Sequence, residues 1–211
     1  RFQIYGTLLS EGTESDSIYF TSGRIDPTTG DWYAIRFIDE FSSNSVLTKT
    51  IIEYSNAGAQ CENSSPNIYD NKFINNHTGI VCYDNSLFLV IHDNILVNNS
   101  WGIYCNNSEA IFRYNYLSDN EEYGIYCTEN SAAIITNNVI KSTLGIAIII
   151  KENSVPAVSQ NTLLDNETCI SIEDNADPVI FNNIFYANET GIDLDETSIP
   201  ASIGYNLFWL N

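Results

Sequence analysis

Residues 64–86, SSPNIYDNKFINNHTGIVCYDNS, run directly into residues 86–108, SLFLVIHDNILVNNSWGIYCNNS, and the two stretches repeat one pattern. Aligned on that pattern, units begin at Ser64, Ser86, Ser108, Ser131, Ser154 and Ala176, separated by 22, 22, 23, 23 and 22 residues. A fixed period in this range is the signature of a solenoid. In every unit an Asn stands two residues before an inward apolar residue, in most cases ahead of an apolar pair, at Asn71, Asn94, Asn115, Asn138, Asn161, Asn183 and Asn206. Asn tolerates the left-handed backbone conformation better than other non-glycine residues, so this column is expected to bend the chain between two short strands. Stacked coils also allow the side-chain amides to hydrogen-bond along the column as an Asn ladder.

Three apolar columns accompany the Asn. Ile68, Ile91, Phe112, Ile135, Val158, Ile180 and Ile203 form one; Phe73, Leu96, Leu117, Ile140, Leu163, Phe185 and Phe208 a second; Ile80, Ile103, Ile125, Ile146, Ile170 and Ile192, after a recurrent Gly-Ile signature, the third. Three inward columns in about 22 residues describe three short strands around one core. The Leu spacing of leucine-rich repeats is missing, and helical repeats need longer units. Each coil rises by about one strand spacing, ~4.8 Å, so roughly nine coils make a rod on the order of 40 Å long. We expect one domain over residues 1–211, with irregular early coils and a polar loop in 1–43 and regular repeats over 44–211.

Composition narrows the function. The chain of 211 residues is 44% hydrophobic, enough for a continuous core. Lys and Arg number 8 against 27 Asp and Glu, a net charge of -19, which repels phosphate backbones and anionic membranes and argues against nucleic acid as a partner. No apolar run approaches a membrane span, which argues against membrane insertion. The opening RFQIYGTLL reads as strand rather than signal peptide, so a mature or excised segment is expected.

The pattern NNxI…NNxxGIxCxxNS resembles the parallel β-helix repeats of bacterial and archaeal surface proteins and of the polysaccharide lyase, epimerase and periplasmic copper-maturation families. The likeness covers roughly residues 44–211 by repeat, and residues 4–43, with IYGTLLSEGT…IYFTSGRIDPTTGDWYAIRF, resemble early coils of the surface-protein group. The resemblance implies an all-β, single-stranded, right-handed parallel β-helix; periodicity alone does not set the hand. Lyases and epimerases of this fold use a basic residue against a uronate, with cations or calcium to neutralise it. The nearest counterpart here is the stack Tyr69, His92 and Arg113 just before the Asn column, with His77 alone on a turn.

Cys61, Cys82, Cys105 and Cys127 recur at spacings of 21, 23 and 22 residues, each two residues after the Gly-column Ile or its equivalent, while Cys169 falls in the Gly column. One straight stack is poor geometry for a metal, and parallel side chains hold Cβ atoms near the coil spacing, beyond the usual ~3.8 Å of a disulfide. Buried thiols serving as small core residues are expected, with oxidised pairs the alternative. Sequons begin at Asn63, Asn76, Asn98, Asn106, Asn166 and Asn188, all on predicted turns and candidates for glycosylation.

On the strand after the Gly, exterior positions read Val81 and Tyr83, Tyr104 and Asn106, Tyr126 and Thr128, Ala147 and Ile149, Ser171 and Glu173, then Asp193 and Asp195, with Trp101 and Tyr123 just before that strand. Tyr83, Trp101, Tyr104, Tyr123 and Tyr126 form an aromatic half suited to stacking on neutral sugar rings, or to stabilising the sheet alone. Glu173, Asp193 and Asp195 form an acidic half, with separations of about 5–6.6 Å along and across strands. Such spacing overlaps the catalytic pairs of glycoside hydrolases and equally suits Ca²⁺. No other cofactor is suggested. The residues favour a secreted or cell-surface structural or adhesive module, weakly glycan-binding and self-associating end to end or on flanking coils into a filament. A polysaccharide-active enzyme, whether glycoside hydrolase, lyase or epimerase, is the alternative.

Overall fold

A computed structural model describes residues 2–84 and 89–211; Ser86, the start of one repeat unit, lies outside the described residues. The chain winds as an all-β parallel solenoid whose coils each add one strand to three parallel sheets, nine strands per sheet among the described residues. The first sheet holds the strands after the Gly, including Thr78–Tyr83, Trp101–Asn106 and Tyr123–Thr128; the second and third hold three-residue strands such as Val90–His92 and Ile95–Val97. The early segment joins in: Phe2–Ile4, Leu9–Glu11 and Ile18–Phe20 each pair in parallel with the following coil, one in each sheet. The polar loop that follows closes on Asp31, which accepts from Ser22 Oγ at 2.6 Å and from the Thr28 N–H at 3.0 Å and pairs with Arg24 at 2.8 Å.

The three inward columns are the core. Ile68, Ile91, Phe112, Ile135, Val158 and Ile180, and Phe73, Leu96, Leu117, Ile140, Leu163 and Phe185, are all fully buried. The third column differs from the expectation at one coil. Ile125 pairs with Ile148 and Ile148 with Ile170, so Ile148 is the inward residue, whereas Ile146 lies beside Tyr123. Ala147 accordingly faces inward in the glycine column, fully buried, rather than outward. The Gly-Ile pair at 145–146 lies two residues ahead of its structural equivalent, Ala147–Ile148, which pairs with Gly124–Ile125 across a connection of unchanged length.

Glycine recurs in this column for a steric reason. A Cβ on Gly79, Gly102 or Gly124 would lie 2.4–2.6 Å from the backbone oxygen of the same position one coil on, and under 3 Å from Leu96, Leu117 or Ile140. Close approach of neighbouring coils at these three positions leaves no room for a side chain, whereas later coils admit Ala147 and Cys169 in the same column.

The conserved-looking Asn column does not itself adopt the left-handed conformation. The residue before it does: Asp70, Asp93, Tyr114, Asn137, Gln160, Asn182 and Tyr205 all have φ of 55–57°. The Asn beside each bend serves as a hydrogen-bonding post. Asn94 Oδ1 accepts from both the N–H and the Nδ2 of Asn71 (3.0 and 3.1 Å), while Asn94 Nδ2 donates back to the Ile68 carbonyl and on to Asn115 Oδ1. The same bonds recur from Asn115 through Asn138, Asn161 and Asn183 to Asn206. A second amide column, unforeseen in the sequence, runs through Asn76, Asn99 and Asn120, is interrupted at Thr143, and resumes at Asn166, Asn188 and Asn211.

These roles separate experimentally. Asn115→Ala strips the acceptor from Asn94 N and Nδ2 and the donor from the Ile91 carbonyl, and should lower stability by about 3 kcal/mol, since buried polar groups lose their partners. Tyr114→Gly, at the exposed left-handed position next to it, should leave stability unchanged or raise it by up to about 1 kcal/mol. Chemical denaturation of the two variants reads both values.

Candidate functional site

The outer face of the first sheet is uneven because neighbouring coils fill the same columns with residues of different size. Along one column the register runs Ala34, Ala57, Thr78, Trp101 and Tyr123; along the next, Gln60, Val81, Tyr104 and Tyr126. Small residues in one pair of coils therefore lie directly beside large rings in the next. The result is an open cleft of about 310 Å³, at the lower end of the usual range for small-molecule sites. Its floor is Ala57, Gln60, Thr78 and Val81, all nearly buried. Tyr33 borders it on one side and Trp101, Tyr104 and Tyr83 on the other, with His77 and Asn56 completing the lining.

All five aromatic residues singled out in the sequence lie in one cluster, but not as a row of parallel faces. Tyr83 meets Tyr104 at 75°, Tyr104 meets Tyr126 at 87° and Trp101 meets Tyr123 at 64°, with centroids 5.4–5.7 Å apart. Edge-to-face packing is the geometry that ring quadrupoles favour, so much of each ring is spent on its neighbour. Trp101 is fixed further by its indole N–H, which donates to Glu122 at 2.9 Å, and by His77 against its face at 5.7 Å. Burial, foremost, raises the phenols of Tyr83, Tyr104 and Tyr126 above the ordinary tyrosine range. They remain neutral hydroxyls that both donate and accept. Sequence reasoning missed Tyr33, Gln60 and His77 as lining; the signal was the run NAGAQ at 56–60, small where the later coils are bulky.

The acidic half does not converge. Glu173 turns to Lys151 of the preceding coil (2.7 Å) and accepts from Ser171 Oγ. Asp195 is consumed locally, its oxygens accepting from the Asp174 N–H (2.9 Å), the Thr197 N–H and hydroxyl, and the Ser198 N–H. Those bonds, led by the Asp174 N–H, hold its carboxyl far below the usual range, the reverse of what a general acid needs. Asp193 stands exposed one column away. Among the described residues no group of three or more His, Cys, Asp and Glu is placed to hold a metal. The structure therefore does not bring Glu173, Asp193 and Asp195 together in the way that the hydrolase and calcium readings expect. Tyr69, His92 and Arg113 do align on consecutive coils, with Tyr69 and His92 stacked at 5.3 Å and 4°. His92 is bound through Nδ1 to Asp93 at 2.6 Å, on a sheet remote from the cleft residues in register.

Three of the six sequons are also corrected. Asn76, Asn166 and Asn188 are buried in the second amide column, their Nδ2 atoms donating to the carbonyls of Ile52, Ile140 and Leu163, so the nitrogen a glycan would occupy lies within the wall. Asn63 and Asn98 are exposed at left-handed bends, and half-buried Asn106 donates to the Tyr104 hydroxyl at 3.2 Å. The five cysteines are free and buried. Cys61, Cys82, Cys105 and Cys127 stand in register on successive strands, and burial pushes the thiols of Cys61, Cys82 and Cys169 upward.

Fold and surface together define a parallel β-solenoid with Asn-braced corners and an aromatic-walled cleft beside Trp101. A family model described as periplasmic copper-binding protein (NosD) matches residues 15–211, and the chain belongs to that family. No curated protein and no solved structure matches. The residues present do not fit Cu(I). That ion takes thiolate, thioether or imidazole; this chain has no Met, its thiols are sealed in the core, and His77 and His92 are engaged separately, by Trp101 and by Asp93. Under anaerobic conditions the five thiols should stay unreactive toward an aromatic disulfide reagent until denaturant is added. The folded chain, loaded with Cu(I) and desalted, should retain well under one equivalent of copper by elemental analysis.

Proposed function

We propose that this β-solenoid module is displayed outside the cytoplasm, in the periplasm or on the cell surface, and binds neutral sugar rings weakly through the cleft beside Trp101. The carrying observation is the juxtaposition of a recessed floor of small and polar residues, Ala57, Gln60, Thr78 and Val81, with aromatic walls at Tyr33, Tyr83, Trp101 and Tyr104. Sugar rings present C–H faces that pack on aromatic rings, and the neutral phenols, Gln60 and Asn56 offer the few polar groups that such a site needs. The edge-to-face packing of Trp101 and the tyrosines limits the face area open to a ligand, which argues for modest affinity. A net charge of -19 disfavours uronate polymers. Titrating a panel of neutral oligosaccharides by calorimetry should give saturable heats that Trp101→Ala abolishes while circular dichroism shows the fold retained. Silence across the panel, or tight calcium-free binding of pectate or alginate, overturns this reading.

Axial association with further solenoid coils is the second part of the proposal. Leu194, Ile203 and Phe208, which continue the buried columns, are 47, 47 and 48% exposed, whereas Phe185, stacked on Phe208 at 4.6 Å, is fully buried. Unpaired strand edges beside an open apolar column favour pairing with another coil. Light scattering should show association that rises with concentration and falls in Phe208→Glu; a monodisperse monomer at high concentration in the unmodified chain defeats this part.

A further inference from the structure

The surroundings of the cleft carry a charge bias that binding of a neutral ring does not use. Glu122 accepts the indole N–H of Trp101 at 2.9 Å, which puts a carboxylate at the edge of the largest wall. Asp84 and Glu62 bear on the Tyr83 phenol, and Glu152 and Glu129 on that of Tyr104; each is near enough to raise the phenol's pKa, after burial has done so. Thr128, on the strand of Tyr126, holds Glu152 by its hydroxyl at 2.5 Å. Two cations offset part of this charge: Arg36 pairs with Glu62 beneath Tyr83, and Lys151, paired with Glu173 at 2.7 Å, also bears on the Tyr126 phenol; Glu122, Glu129, Glu152 and Asp84 remain on the acidic side of the balance. No carboxylate enters the lining itself.

A ligand in this cleft therefore meets aromatic faces, negative at their centres, with a layer of carboxylates behind them. A uronate would be repelled. A neutral ring gains nothing from the outer layer. A cation gains twice, from the ring quadrupoles directly and from the carboxylates through a partly desolvated surface.

We propose that the cleft beside Trp101 selects an ammonium-bearing sugar, a hexosamine unit of a de-acetylated polymer, over its neutral and uronic counterparts. The proposal rests on the glycan reading above and assigns that site its substrate class. Size is compatible, because the free amine adds no bulk to the hydroxyl it replaces, whereas an N-acetyl group both enlarges the ring and removes the charge.

The test is calorimetric titration of the full chain, at low salt and at one pH where the sugar amine is protonated, with glucosamine tetramer, N-acetylglucosamine tetramer and cellotetraose. The glucosamine tetramer should bind about tenfold more tightly than the other two, the order of one cation–π contact strengthened by nearby charge, and the gap should narrow as salt is raised. Because any cationic oligomer is drawn to so acidic a protein, Trp101→Ala is the decisive control. It should abolish the glucosamine heat signal, with circular dichroism verifying the fold. Glu122→Gln, which keeps a hydrogen-bond acceptor at the indole, should lower affinity for the glucosamine tetramer severalfold and leave the N-acetylated one unchanged. Equal affinity for the three sugars overturns the selectivity and leaves the glycan site standing. Glucosamine binding that survives Trp101→Ala shows diffuse charge attraction and overturns the proposal, and silence from all three sugars defeats the glycan reading with it.

Discussion

A chain that turns sharply in every coil breaks its sheet ladder at each corner, and the backbone groups stranded there must find partners or cost about 1–3 kcal/mol apiece. Here the partner is an Asn amide. Each one reaches back to a carbonyl of the coil before it and forward to the Asn of the coil after it, so that three coils are tied at a single side chain. Gln is longer and Asp lacks the donor, which leaves Asn the residue suited to both tasks. Once this post is fixed, the left-handed residue beside it has little else to do, and Asp, Tyr, Asn and Gln all occupy it. Two such columns and the glycine corner define the cross-section; the remaining turns absorb the differences in coil length.

With core and corners committed to the stack, function is confined to the outward positions. Those positions are coupled only to their neighbours up and down the axis, so a cleft arises whenever adjacent coils differ in size. Ala57 and Thr78 beside Trp101 make such a step. The family name refers to copper, yet the soft donors of this chain are spent inside, where the Cys column packs as small apolar residues.

Much of this was legible in the sequence because a solenoid writes its cross-section repeatedly. Period, strand number and two of the three core columns needed no correction. What escaped has physical causes. Left-handed propensity and amide hydrogen bonding both select Asn, so the sequence could not separate the bend from the post; coordinates place them on adjacent residues. The second amide column was hidden because Asn76, Asn166 and Asn188 also read as sequons, and Thr143 interrupts it. Ile148 is masked by Ile146 in the sequence because GIAIII offers several apolar residues in a row and repeats the Gly-Ile signature two residues early. The carboxylates looked convergent because strand spacing fixes Cα positions and says nothing of where side chains turn; Lys151 and the turn after Asp195 decided that.

The direction of the hydrogen bonds has a mechanical consequence. In all three sheets they run along the rod, from coil to coil, so force applied through the two chain termini meets them one coil at a time rather than in shear across a whole sheet. Each coil that peels away would release its roughly 22 residues, on the order of 75 Å of extended chain, while the next coil keeps its own amide posts until its turn comes. A tether built this way lengthens in equal steps under tension and carries its surface cleft intact until the peeling front reaches the coils that form it.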